Sequence, residues 1–119
     1  MGAEQNALDE GIQFQEQEPG YLNLCRRTGN LLITSGHTSD LKGILGDGLS
    51  VEQGYEADRD CADKIINSVP QSHGSLDGLD VVKLLGCVYS AGDFNDQHMV
   101  INGASYLINK LFGKEPDAD

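Results

Sequence analysis

The spacing of apolar side chains divides the chain into short segments of changing period. From Ser50 onward, Val51, Tyr55, Ala62, Ile65 or Ile66, and Val69 share one face of a helix, with Glu52, Glu56, Arg59 and Asp63 largely opposite. Ser50 and Gln53 stand at the spacing that lets a hydroxyl and a side-chain amide satisfy the first free N–H groups of a helix reciprocally, so the helix is expected to start there. Pro70, which lacks an N–H and crowds the preceding turn, predicts an end near Val69. A second helix is predicted from Val100, Ala104, Leu107 and Leu111, with Ile101 and Ile108 widening the stripe. Asp93 or Asn95 offers its cap, and Gly113 and Pro116 its end.

Elsewhere the pattern is that of extended chain. Tyr21 to Arg26 and Leu31 to Ser35 flank Thr28-Gly29-Asn30 and read as a β-hairpin, with Gly29 and Asn30 expected to supply positive φ. Val81 to Tyr89 is almost continuously apolar and rich in β-formers. It predicts a strand buried on both faces, or covered by helices on one and by another subunit on the other. Near the start, Glu4 to Glu10 followed by Gly11 suggests a short helix. Ile12 and Phe14, alternating with Gln13 and Gln15 before Pro19-Gly20, suggest an edge strand or arm. Gly36 to Leu49 reads as a surface loop: Gly43 to Gly48 is superficially like a phosphate loop but lacks its Gly-Lys-Ser/Thr ending. The order β-β-α-β-α predicts an α+β fold, a small mixed sheet with two helices packed on one face. A single domain is expected over 1–119, with an arm (1–20), a core (21–113) and a tail (114–119).

Composition narrows the function. Hydrophobic residues make up 39% and charged residues 23%, as in ordinary globular proteins, and no apolar run approaches the roughly 20 residues that cross a bilayer. No membrane partner is expected. Met1-Gly2-Ala3-Glu4-Gln5 has neither the basic region nor the apolar core of a secretory signal, so the expected location is cytoplasmic. A formal net charge of -11 would repel RNA or DNA, which argues against a nucleic-acid partner. Cys25, Cys61 and Cys87 are odd in number and widely spaced, which suggests small buried hydrophobes and neither a disulfide framework nor a zinc site. His37, His73 and His98 lack the spacing of helical metal ligands. Asp58, Asp60 and Asp63 fall within the first predicted helix, as a solvated acidic face and not a calcium loop. No metal and no cofactor is implied, and no nucleophile elbow, Cys/His pairing or dinucleotide fingerprint assigns a catalytic residue. One local feature points to chemistry. The strand that ends at Ser35-Gly36-His37 delivers a hydroxyl and free backbone N–H groups to its carboxyl end, a place that suits a small anionic ligand and equally a plain exit from strand to loop.

The same segment, Gly29-Asn30-Leu31-Leu32-Ile33-Thr34-Ser35-Gly36, resembles the "G-N-x-(I/L)-x-x-S-G" strand of the Rid/YjgF proteins, also known as reactive-intermediate deaminases and as L-PSP endoribonucleases. Asp80-Val81-Val82-Lys83 through Cys87-Val88-Tyr89, then Asp93-Phe94, is similar to a second strand and turn of that family. The helix from Asp96 to Phe112, with Asn102-Gly103-Ala104-Ser105, looks like the branch in which that helix is extended. The resemblance covers Leu22 to Gly113. It implies a chorismate-mutase-like fold, a homotrimer with ligand sites in clefts between subunits, and hydrolysis of reactive enamines or imines to keto acids and ammonia. Position by position it implies substrate contacts at Ser35, Gly36, Tyr21 (or Leu22) and Asn102, and at His37, where glutamine is frequent. The family's carboxylate-gripping arginine lies in a strand after the second helix. This sequence runs to Asp119 with Arg26, Arg27 and Arg59 as its only arginines, none at the matching place. Weak deamination is therefore expected, or else a non-catalytic trimer that holds a small keto or imino acid.

Overall fold

The computed structural model describes residues 2–14 and 25–113. In chain order its elements are α1 (Ala3–Asp9), β1 (Cys25–Thr28), β2 (Leu31–Thr34), β3 (Ile44–Leu45), β4 (Gly48–Leu49), α2 (Val51–His73) and α3 (Gln97–Phe112). Helix α2 begins as its sequence dictates. The Gln53 N–H donates to the Ser50 hydroxyl at 3.2 Å, and the Ser50 N–H donates to Gln53 Oε1 at 2.9 Å. It does not stop before Pro70. The helix continues to His73 and ends at Gly74, whose φ of 88° turns the chain and whose N–H donates to the Pro70 carbonyl at 2.7 Å. A left-handed glycine, and not the proline, terminates it.

The predicted apolar stripe of α3 is the one that packs. Val100, Ala104, Leu107 and Leu111 are buried, and α3 lies against α2, which also packs on β1. Contact between the helices is close because Gly103 faces the backbone of Tyr55 and Arg59, so that a Cβ added there would collide with the Tyr55 carbonyl oxygen. Ala62, Ile66 and Val69 of α2 complete this core with Cys25, Ile12 and Leu76. Helix α1 contributes Ala3 and Ala7. It is tied down by three bonds: Glu4 N–H to Asp77 Oδ1 (3.0 Å), Leu76 N–H to Glu4 Oε1 (3.2 Å) and Asn6 Nδ2 to the Leu111 carbonyl (3.1 Å).

Strands β1 and β2 form the expected hairpin, antiparallel with Cys25 opposite Thr34 and Thr28 opposite Leu31. Gly29 takes a φ of 58°, but Asn30 does not take a positive φ as the sequence suggested. The turn therefore needs the left-handed conformation at its first position only. The part of the expected hairpin before Cys25, and Gln15 to Gly20 of the expected arm, lie outside the described residues.

The segment Val81 to Tyr89 departs most from expectation. It joins no strand ladder among the described residues, and Val82 and Leu85 are 81% and 78% exposed. The helices meet it closely at Gly86, where Ile101 occupies the space that a Cβ would need. Only its end is hydrogen-bonded to the loop: Leu45 N–H donates to the Tyr89 carbonyl at 3.0 Å and Ala91 N–H to the Leu45 carbonyl at 2.9 Å. With no strand alongside among the described residues, the side chains on its outer side, Val82 and Leu85 above all, stay exposed.

The loop between β2 and β3 is pinned to α2 by the Lys64 ammonium and by the Asp40 N–H, which donates to Asp60 Oδ2 at 3.2 Å. Lys64 Nζ donates to the Thr38 carbonyl at 2.7 Å and to Asp40 Oδ1 at 2.8 Å, and lies 3.5 Å from Asp60 Oδ2. The hydrogen bond and charge of Lys64 hold the Asp40 carboxyl below its usual range, and that same bond raises the Lys64 ammonium.

Two outcomes follow. Gly103→Ala should destabilise the fold by about 1–3 kcal/mol, because the collision is with backbone and the helices must part to relieve it; urea denaturation measures the loss. Stabilisation from a lowered Asp40 is complete above its ordinary pKa, near 4, and is lost as pH falls through the lowered value. Amide exchange across residues 36–43 should accordingly accelerate in strong acid, and Lys64→Met should give the fast exchange already at neutral pH.

Candidate functional site

The loop held by Lys64, the inner sides of α2 and α3 and the exposed segment ending at Tyr89 surround a cleft of about 770 Å³. Its walls are mostly apolar. Leu45 and Leu49 come from the two short strands of the loop, Ala57, Ala62 and Ile65 from α2, Val100 and Ile101 from α3, and Leu84 and Leu85 from the segment opposite. Gly54 lets this arrangement form, since a Cβ there would strike the Leu45 and Val100 side chains. The few polar groups among the lining are Gly36 to Ser39, Lys42, Asp58, Cys61, Cys87 and Tyr89. A concave, largely apolar site with a few polar side chains is the usual form of a small-molecule site.

Of the residues singled out from the sequence, Gly36 and His37 line this cleft, whereas Ser35 and Asn102 do not. Tyr21 lies outside the described residues. His37 is half-buried at the end of the loop that leaves β2. Its Nδ1 lies 3.1 Å from the Ser35 carbonyl, which can only accept, so Nδ1 carries the proton and Nε2 of the neutral ring is an acceptor. That Nε2 is buried and has no partner among the described residues.

Asp58 was grouped with Asp60 and Asp63 as a solvated face, and its position corrects that expectation. One turn from Ala62 on α2, it points at α3, and its Oδ2 accepts from the Ala104 N–H at 2.9 Å. Burial pushes its carboxyl up, and the Ala104 N–H opposes this in part. Asp63 is also half-buried and raised, first by burial and then by Asp60. Periodicity along one helix could not reveal this, because the partner is a backbone N–H of another helix 46 positions away.

The cysteines do not behave alike. Cys25 is buried, as expected, but Cys61 is only half-buried and Cys87 is exposed. Burial and the charges of Asp58 and Asp60 raise the Cys61 thiol, which keeps it protonated and a poor nucleophile. No group of three or more His, Cys, Asp or Glu among the described residues is placed to hold a metal ion. None of the described helices is long and apolar enough to cross a membrane. Arg59 turns away from the cleft to Glu10, meeting its carbonyl at 3.5 Å and its Oε1 at 3.6 Å, and Lys42 is the only lysine or arginine in the lining.

No family model matches the chain. It is 41% identical to the Trypanosoma cruzi protein TCP17 over 76 residues, which is 63% of this chain and 48% of that protein. The chain thus spans about half the length of this relative. Two solved structures share its architecture. One, a protein of unknown function from Agrobacterium tumefaciens, superposes with a TM-score of 0.74 at 28% identity, over 94% of this chain and 73% of its own. The other, a candidate endoribonuclease from Shewanella oneidensis, gives 0.77 at 23% identity, over 95% of this chain and 81% of its own. The likeness extends over nearly the whole chain, through the helical layer and the loop that frame the cleft. The fold is the YjgF-like α+β fold.

Proposed function

We propose that this chain binds small imine metabolites in the cleft and hydrolyses them to keto acids and ammonia only slowly. The observation that carries the reading is the lining itself: a largely apolar cleft reached by the loop that follows β2, with Gly36 and His37 in it and no arginine. The YjgF-like resemblance supplies the reaction class. In that reaction water adds to the imine carbon, a proton reaches the nitrogen, and the C–N bond breaks to release ammonia and leave the carbonyl. The cleft supports it by holding the imine among apolar walls, beside groups able to accept a proton.

Slowness is the expectation for the cleft as the described residues form it, with no guanidinium in its lining. A bidentate clamp on the substrate carboxylate makes two charge-assisted bonds of about 1.5–3 kcal/mol each, so its absence is worth roughly two to four orders of magnitude in kcat/KM. Lys42, on an exposed stretch of loop, replaces little of this. Endoribonuclease activity, attributed to one structural relative, has less support here, because a net charge of -11 opposes the approach of a polyanion.

The assembly belongs to the same proposal. Leu31, Ile33, Val82, Leu85 and Tyr89 are exposed apolar side chains, and a homotrimer would give them cover. Light scattering should then give three times the chain mass, and a monomer at high concentration would count against it. Keto-acid release from a freshly generated imino acid should proceed with kcat/KM below about 10³ M⁻¹ s⁻¹, under the range typical of enzymes. Fast turnover would overturn the reading of a poor catalyst; tight binding with no turnover would favour a non-catalytic metabolite-binding role.

A further inference from the structure

We propose that the cleft recognises its ligand through two hydrogen-bond acceptors, His37 Nε2 and the free oxygen of Asp58, and therefore selects a molecule that turns a protonated amine or iminium toward α2. This rests on the cleft being the ligand site and specifies what it takes.

The tautomer of His37 fixes the first half. Because Nδ1 donates to the Ser35 carbonyl, Nε2 of the neutral ring offers a lone pair, and a buried lone pair without a partner calls for a donor. Asp58 gives the second half. Its Oδ2 is engaged by the Ala104 N–H, and its other oxygen has no partner among the described residues. Its surroundings supply desolvation and one backbone N–H but no cationic side chain. A desolvated carboxylate lacking a counter-ion is stabilised by a cation placed beside it, and both groups line the one cleft. Each demand is met by a ligand N–H, and the one at Asp58 best by a cationic nitrogen; a carboxylate or a carbonyl oxygen meets neither. The same preference would disfavour the keto product once the nitrogen has left.

The test compares three small probes of matched chain length, n-butylamine, norvaline and the keto acid derived from norvaline, by NMR titration of the full chain. Both amines should bind at least tenfold more tightly than the keto acid, in keeping with hydrogen bonds to charged groups. Asp58→Asn keeps an acceptor for the Ala104 N–H while removing the charge, and should abolish that preference; His37→Phe should weaken both amines about tenfold and leave the keto acid unchanged. Circular dichroism and the unchanged keto-acid affinity would show that the variants fold. Tighter binding of the keto acid, or amine binding indifferent to both variants, would overturn the acceptor pair while leaving the cleft as a site. Absence of binding by all three probes would overturn the cleft itself, and the proposed function with it.

Discussion

Helices α2 and α3 come together so closely at Gly103 that only a hydrogen atom fits between that residue and the Tyr55 carbonyl. The close approach brings the Asp58 carboxylate within 2.9 Å of the Ala104 N–H, one residue along α3. It also sets Val100 and Ile101 beside Leu45 and the extended segment, and so shapes one wall of the cleft. A larger residue at 103 would part the helices, lengthen the bond to Asp58 and move that wall together. Packing and site chemistry thus depend on the same glycine, which periodicity marks only as a small residue on the buried face.

The sheet has no comparable anchor. The β1–β2 hairpin is secured by α2 beneath it, but β2 pairs only with β1 among the described residues and Ile33 is 60% exposed. Val81 to Tyr89 has the side chains of a strand and enters no ladder among the described residues. A strand's stability comes from cross-strand pairs and burial, so β-propensity alone cannot hold such a segment in a sheet. The result is a helical layer with a well-filled core beneath an incompletely paired extended layer, and the cleft is the space between them.

These two halves also mark how far the sequence could be read. Ser50 with Gln53, and the stripe from Val100 to Leu111, carry their own structural instructions within a few residues, and both helices form over them, although α3 starts after Asp96 and neither Asp93 nor Asn95 caps it. Pro70 misled because a helix end is decided by whatever closes it, here the left-handed Gly74, well beyond the expected stop near Val69. The strand expected at Val81 to Tyr89 pairs with no neighbour among the described residues, because a ladder requires a partner that local pattern does not encode. His37 was visible as a polar residue after Ser35-Gly36, and Gly36 with it, but the direction of its hydrogen bond needed the loop's folded geometry. Asp58 was hidden by its neighbours: three acidic residues within one helix look like a solvated face until a second helix presents a backbone N–H to one of them.

Net charge ties the cleft to the rest of the molecule. A surface at -11 raises the local concentration of cations and lowers that of carboxylates, before any contact is made. In a cleft walled by leucine, isoleucine and valine that bias is less screened than at the open surface, so a lone carboxylate such as Asp58 acts over a longer reach. An imino acid carries both signs, and its two ends experience this field in opposite senses. For the proposed ligand, the nitrogen end would be drawn toward Asp58 on α2 and the carboxylate end toward the exposed Lys42. A cleft of this polarity would hold an imino acid, the ligand proposed for it, by its nitrogen and would release it once that nitrogen had become ammonia.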